Sequence, residues 1–384
     1  MRVFIPRDTG FLSFLNWLMG SICLTKEPLY PFMNMELQKT INKKLDHFCY
    51  NDKTVVNSWF LYFEPIVYDF KTSQKIDRSH ETLHIKDVLT CIQNKQVTQG
   101  WDGAKEFLFF HIADILRNHN RKQVFQQWRN RTHKVFSRYV RPKPYITNKV
   151  NQIVTELCLE ANVPTMESFI AVHHRNPSHV KEQGKIHFQE YFDKIDDILN
   201  RQPDLHIYLA TDTEFAVAVF KQKYEGRLHY LRDVYRTSAD DLIDWIFARD
   251  SEPTDKEGFV GGKGYDSHAK VAETMEPERC RKMGIDVLLD IFLISKCKFF
   301  VHTISNFTIT LSYLNPTIEL VAVKEIDQIA YLKQMKTEVL EMQRSNLATV
   351  PFDKPGNELA CIKVRDNPDD FEKTDRMFFN KTYT

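Results

Sequence analysis

Glycine is scarce in this chain, 12 of 384 residues against 28 phenylalanines. That balance excludes a low-complexity or disordered polymer and supplies ample aromatic volume for a core. Cysteine is sparse and unpatterned. The seven cysteines run from Cys23 to Cys361, odd in number, with no C-x-x-C pair and no Cys/His cluster at zinc spacing. They read as reduced, mostly buried thiols. Net charge is nearly absent, since 52 Lys and Arg against 51 Asp and Glu leave +1. No global field therefore draws the chain to nucleic acid or to an anionic membrane. Long hydrophobic runs are missing as well. The apolar stretch Gly10 to Leu24 is shorter than the roughly 20 residues of a membrane span, contains Ser13 and Asn16, and precedes no small-residue cleavage site. It reads as a buried helix, and a cytoplasmic location is expected.

A chain of 384 residues is about two to three times the commonest domain size, so two domains are expected. Arg2 to Pro6 looks like a short edge strand, Arg7-Asp8-Thr9-Gly10 like a turn, and the apolar helix follows. Leu29 to Met35 is a second strand candidate, Trp59 to Ile66 an aromatic block, and Ala104 to Leu116 has helical spacing. From Arg117 to Lys149 there are ten Lys and Arg and no Asp or Glu. A solvated helix face explains that run, with Phe125, Trp128, Phe136 and Tyr139 as its core side. A basic surface for an acidic acceptor, including Arg129, Arg131 and Lys134, is the functional alternative.

Beyond Arg141-Pro142-Lys143-Pro144 the pattern becomes regular. Strand candidates Phe169 to His173, Leu205 to Thr211, Leu228 to Leu231, Phe299 to Thr303 and Ile318 to Val323 alternate with helical stretches. Such alternation predicts a parallel, Rossmann-like sheet. The expected division is an acceptor-side α/β domain over 1–164, a nucleotide-sugar domain over 165–325 and a C-terminal helix and tail over 326–384.

In open parallel sheets ligands bind beyond the carboxyl ends of the strands. Those ends here read His173-His174-Arg175-Asn176, Thr211-Asp212-Thr213-Glu214 and His302-Thr303-Ile304-Ser305-Asn306. An arginine fork and a hydroxyl-capped helix start suit a diphosphate. Taken singly, Arg175 could be an ion-pair partner of Asp212 or Asp290, Thr303 or Ser305 an N-cap, and Asp212 a cap of its own helix. Their shared location at three strand ends favours a site. Gly258 to Gly264 (GFVGGKG) misses the phosphate-loop pattern, because Gly264 follows Lys263 where Ser or Thr should stand.

These residues resemble the fucosyltransferase superfamily that includes the α1,6-, α1,2- and protein O-fucosyltransferases, nearest the nodulation-type α1,6 branch. Val172-His173-His174-Arg175 is similar to its His-x-Arg element, Ile207 to Asp212 (IYLATD) to its second motif, and Asp286 to Asn306 to its helix-strand-Ser pattern. The resemblance implies an α/β, GT-B-like fold with two Rossmann-like domains facing a cleft, a GDP-fucose donor, inversion at the anomeric carbon and no required metal or other cofactor. It implies that Arg175 grips the β-phosphate, that His173 and Asp290 face guanine or ribose, that Asp212 supports the nucleoside side, and that Ser305 with Thr303 binds phosphate; Asn306 beside them is a further donor-binding candidate. Asn176 and Ser178 depart from the α1,6 pattern. The catalytic base position falls on Gln183 with Glu182 beside it, so Glu182 is the candidate base. A catalytically degenerate GDP-sugar-binding module and a transferase using another GDP-sugar are the alternatives. The expected partners are a nucleotide sugar and a carbohydrate acceptor.

Overall fold

The computed structural model describes residues 2–5, 11–25, 29–33, 55, 57–64, 66–68, 75–77, 97–99, 121–175, 187–234, 236, 276–303 and 305–323. In the N-terminal part, β1 (Arg2–Ile5) leads into α1 (Phe11–Thr25) and β2 (Leu29–Pro31). A single helical turn, α2 (Trp59–Tyr62), precedes β3 (Ile66–Tyr68), β4 (Lys75–Asp77) and β5 (Val97–Gln99). Two long helices follow, α3 (Arg121–Tyr139) and α4 (Pro144–Ala161). Pro144 opens α4, where a missing N–H costs nothing. Asn162 closes it in the left-handed conformation at φ 53°, a geometry asparagine tolerates better than most residues.

Then the regular part begins: β6 (Phe169–His174), α5 (Phe188–Arg201), β7 (His206–Thr211), α6 (Glu214–Lys223), β8 (Leu228–His229), α7 (Pro277–Ile294), β9 (Phe299–His302), α8 (Asn306–Leu314) and β10 (Glu319–Ala322). The five strands form one all-parallel sheet in the order β10-β9-β6-β7-β8. The first and fourth strands of this series are therefore neighbours, and the chain leaves their shared edge in opposite directions. That is the topological switch point of a doubly wound sheet.

Period-two alternation divides the strand side chains between two faces. Ile170, Val172, Ile207, Leu209, Phe299 and Val301 pack with Tyr191, Phe192, Ile195 and Ile198 of α5 and Val217 and Phe220 of α6. Phe169, Ala171, Tyr208, Ala210 and Phe300 face the other way, into a larger core that takes in α7 and α8 and also Phe14, Leu15 and Leu18 of α1. A sheet covered on both faces explains why β6 and β9 are apolar without interruption up to the histidines at their carboxyl ends.

The N-terminal strands differ from the sequence expectation in one respect. β1 pairs in parallel with both β2 and β5, so it is the central strand of a three-stranded sheet and not an edge. Its second neighbour, Val97-Thr98-Gln99, is only three residues long, too short for a period-two pattern to stand out. The helix expected over 104–116, the glycine-rich loop 258–264 and the segment 326–384 lie outside the described residues.

Candidate functional site

The carboxyl ends of β6 and β9 flank the switch point, with His173 and His302 as register partners. The half-buried His173 ring stacks on Phe307 in the first turn of α8, with centroids 4.2 Å apart and 10° between planes. Arg175 follows β6 and is half-buried at the strand end. Tyr191 of α5 donates its Oη to the His173 carbonyl at 3.5 Å and lies beside the side chain of Thr303.

Ser305 is the N-cap of α8, its Oγ accepting from the Thr308 amide at 3.3 Å. Thr308 Oγ1 in turn donates to the Thr303 carbonyl at 2.7 Å. The turn from β9 into α8 is thus held from within, leaving the amides of Asn306 and Phe307 as first-turn donors at the positive end of the helix. The capping reading of Ser305 is what is observed, and it leaves those donors in place.

On the other side of β6, His174 is buried and stacks on Phe188 at 4.9 Å, while its Nδ1 lies 3.2 Å from Thr211 Oγ1 at the end of β7. Burial pushes its imidazole down to about 4, so the ring is neutral. It fastens the ends of β6 and β7 together. Asp212 stands half-buried between Thr211 and Thr213. The cap of α6 is Thr213, whose side chain accepts from the Phe215 amide at 3.3 Å, so Asp212 is not that helix's cap.

Asp290 is placed deeper, on α7 against the sheet. Its Oδ1 accepts from Tyr208 Oη at 2.7 Å, and burial pushes its carboxyl up to about 7 despite the opposing pull of that hydrogen bond and of Arg236. His173, Arg175, Thr303, Ser305 and Asn306 thus come together at the switch point, with Asp212 one strand along and Asp290 below. Glu182, Asn176 and Gln183 lie outside the described residues.

Two residues that sequence reasoning missed help to build this edge. Arg236 is buried and donates to the carbonyls of Thr211 at 3.2 Å and of Leu231, closing the chain back over the end of β7. No local pattern marks it. Asn16 is the second: Asn16, noticed only as an interruption of an apolar stretch, is buried against the start of α8.

The basic run splits. Arg131 and Lys134 are exposed, but Arg129 is buried, with its guanidinium donating to the carbonyls of Ser312, Asn315 and Ile318 at 2.8, 2.8 and 2.9 Å. It satisfies the carboxyl end of α8 and the turn into β10, so it is not part of a basic surface. Phe125, Phe136 and Tyr139 supply the core side of α3 as their spacing predicts.

A groove of about 680 Å³ lined by Thr165, Glu167, Lys296, Lys298 and Thr317 opens at the amino ends of the strands, the opposite edge from these residues. Among the described residues no helix is long and apolar enough to cross a membrane, and no group of three His, Cys, Asp or Glu is placed to hold a metal.

No family model matches the chain, and neither does any curated protein. Among solved structures it is similar to the crystal structure of selenomethionine fucosyltransferase NodZ from Bradyrhizobium, at 13% identity over 83% of this chain and 92% of that one, with a TM-score of 0.39. A second crystal structure of fucosyltransferase NodZ from Bradyrhizobium gives 14%, 83%, 93% and 0.37.

Proposed function

We propose that the protein is an inverting glycosyltransferase that moves fucose from GDP-fucose to a sugar hydroxyl of an oligosaccharide or glycoconjugate. In this reading 165–325 is the donor domain of a GT-B-like pair and 1–164 faces the acceptor. The observation that carries it is the convergence, at the switch point of a parallel sheet, of an arginine on one strand end and the capped amino terminus of a nine-residue helix on the other. The choice of fucose and of guanine rests on the motifs of β6, β7 and the α7-to-α8 stretch.

The chemistry needs a leaving diphosphate to be stabilised while an acceptor oxygen attacks the anomeric carbon from the opposite face. The new C–O bond forms as the sugar-to-phosphate bond breaks, the electron pair leaves on the diphosphate, and the acceptor proton passes to a base. Arg175 and the Asn306 and Phe307 amides would meet the developing charge electrostatically, without a required metal. Thr303 would line the same end, His173, Asp212 and Asp290 the nucleoside side, and Glu182 would take the proton.

A thermal-shift screen of nucleotides tests the donor class, because a ligand that binds only the native state raises stability by mass action. GDP is expected to raise the Tm more than UDP or CMP; a larger shift with either of those would overturn the donor assignment. Release of fucose from GDP-fucose, in the presence of EDTA, is expected of an enzyme. Tight GDP binding with no release under any condition would make the chain a binding module instead.

A further inference from the structure

Asn16 lies in the middle of α1, 1% exposed, and spends its whole amide on α8, about 290 residues away in sequence. Its Nδ2 donates to the carbonyl and to Oδ1 of Asn306, both at 3.1 Å, and its Oδ1 accepts from Thr310 Oγ1 at 2.9 Å and Tyr313 Oη at 3.0 Å. The orientation of both amides follows from one group. A backbone carbonyl only accepts, so the Asn16 atom facing the Asn306 carbonyl is the NH2. That NH2 then requires an acceptor in the Asn306 side chain, which puts Oδ1 toward α1 and leaves the Asn306 Nδ2 for the outside.

Asn306 is half-buried at the first position of α8, beside the helix-start amides. We propose that Asn16 is a positioning residue for the strand-end site: it holds Asn306 with its NH2 rather than its oxygen available to a ligand, making the first turn of α8 a surface of donors only. The inference rests on the diphosphate reading above. It adds that a segment of the N-terminal half sets the polarity of that site from behind, without touching the ligand.

Asn16→Asp separates this from a merely structural role. Burial keeps the new carboxyl protonated; it still accepts from Thr310 and Tyr313 and gives its single hydrogen to the Asn306 carbonyl, so none is left for the Asn306 side chain, whose amide then reverses and turns its oxygen outward. GDP affinity, measured by calorimetry well below the Tm of each variant, is expected to fall about tenfold, as for exchange of a donor for an acceptor at an anion. In an Asn306→Ala background the same Asn16→Asp change is expected to shift affinity less than twofold, since no amide is left to reverse. If Asn16→Asp does not fold, Asn16→Ala removes the hold without burying a carboxyl and is expected to cost about threefold. A folded Asn16→Asp, or failing that Asn16→Ala, that binds GDP within twofold of the parent overturns the inference and leaves the site reading standing. So does an equal loss in the presence and absence of the Asn306 side chain. A parent protein with no affinity for GDP overturns the site reading and this inference together.

Discussion

Arg129→Met removes a buried guanidinium and keeps a long unbranched stem against Phe125, over whose ring the Arg129 Cζ now sits at 5.6 Å. The substitution leaves the carbonyls of Ser312, Asn315 and Ile318 without the donors that reach them at 2.8–2.9 Å. Hydrogen bonds to a charged group contribute about 1.5–3 kcal/mol each. Against them stands the desolvation of the cation, which burial expresses as a guanidinium lowered from 12.5 to about 10. At 1.36 kcal/mol per pH unit that opposing cost is about 3 kcal/mol. The net loss for Arg129→Met is then about 3 kcal/mol, carried by three buried carbonyls left without donors. Arg129→Lys keeps the charge but not the planar fork that spans three carbonyls, and should lose about half as much. Urea unfolding followed by circular dichroism reads both. A loss below about 1 kcal/mol for Arg129→Met would refute the clamp and return Arg129 to the surface charge of α3.

Gly284 on α7 is approached by the Tyr62 ring so closely that a Cβ would overlap its hydroxyl and ring carbons. Gly284→Ala should cost about 1–3 kcal/mol by forcing α2 off α7, and Tyr62→Phe in that background should recover part of it; an unchanged urea midpoint in Gly284→Ala would contradict the contact. Asp290 has a raised carboxyl, so the folded state holds its proton more tightly than the unfolded one between about pH 4 and 7, and its contribution to stability falls as pH rises through that window. Asp290→Asn should leave the Tm nearly unchanged at pH 4 and raise it at pH 8; an equal shift at both would show that the carboxyl is not raised.

The C-terminal sheet was legible because both of its faces are covered. Residues 169–172 and 299–301 had to be apolar throughout, with histidines only at the strand ends, and helices of amphipathic period separate them. Given a parallel sheet, the strand-end rule selects His173, Arg175, Asp212, Thr303 and Ser305 with no further information. What escaped notice was set by tertiary contacts. β1 read as an edge because its partner Val97–Gln99 is only three residues long, too short to show a strand pattern of its own. Arg129 shares a basic run with exposed neighbours, although its place four residues after Phe125 and seven before Phe136 puts it on the buried stripe of α3. Asp290 follows helical spacing onto the sheet side of α7, where the sequence offers no sign that Tyr208 waits for it. Asn16 was visible as a polar residue in an apolar helix, but only the packing of α1 on α8 says what it binds.

The central claim is that Arg175 and the amino terminus of α8 hold the diphosphate of a nucleotide sugar, and Arg175→Ala tests it most directly. The side chain is half-buried at the end of β6, so its removal should leave the far-ultraviolet spectrum intact and the Tm within a few degrees. Loss of one charge-assisted contact to a diphosphate should remove about 2–4 kcal/mol of transition-state stabilisation. That corresponds to a fall in kcat/KM for GDP-fucose of about 30- to 1000-fold in a folded protein. A folded Arg175→Ala protein that binds GDP and turns over GDP-fucose as the parent does would contradict the account.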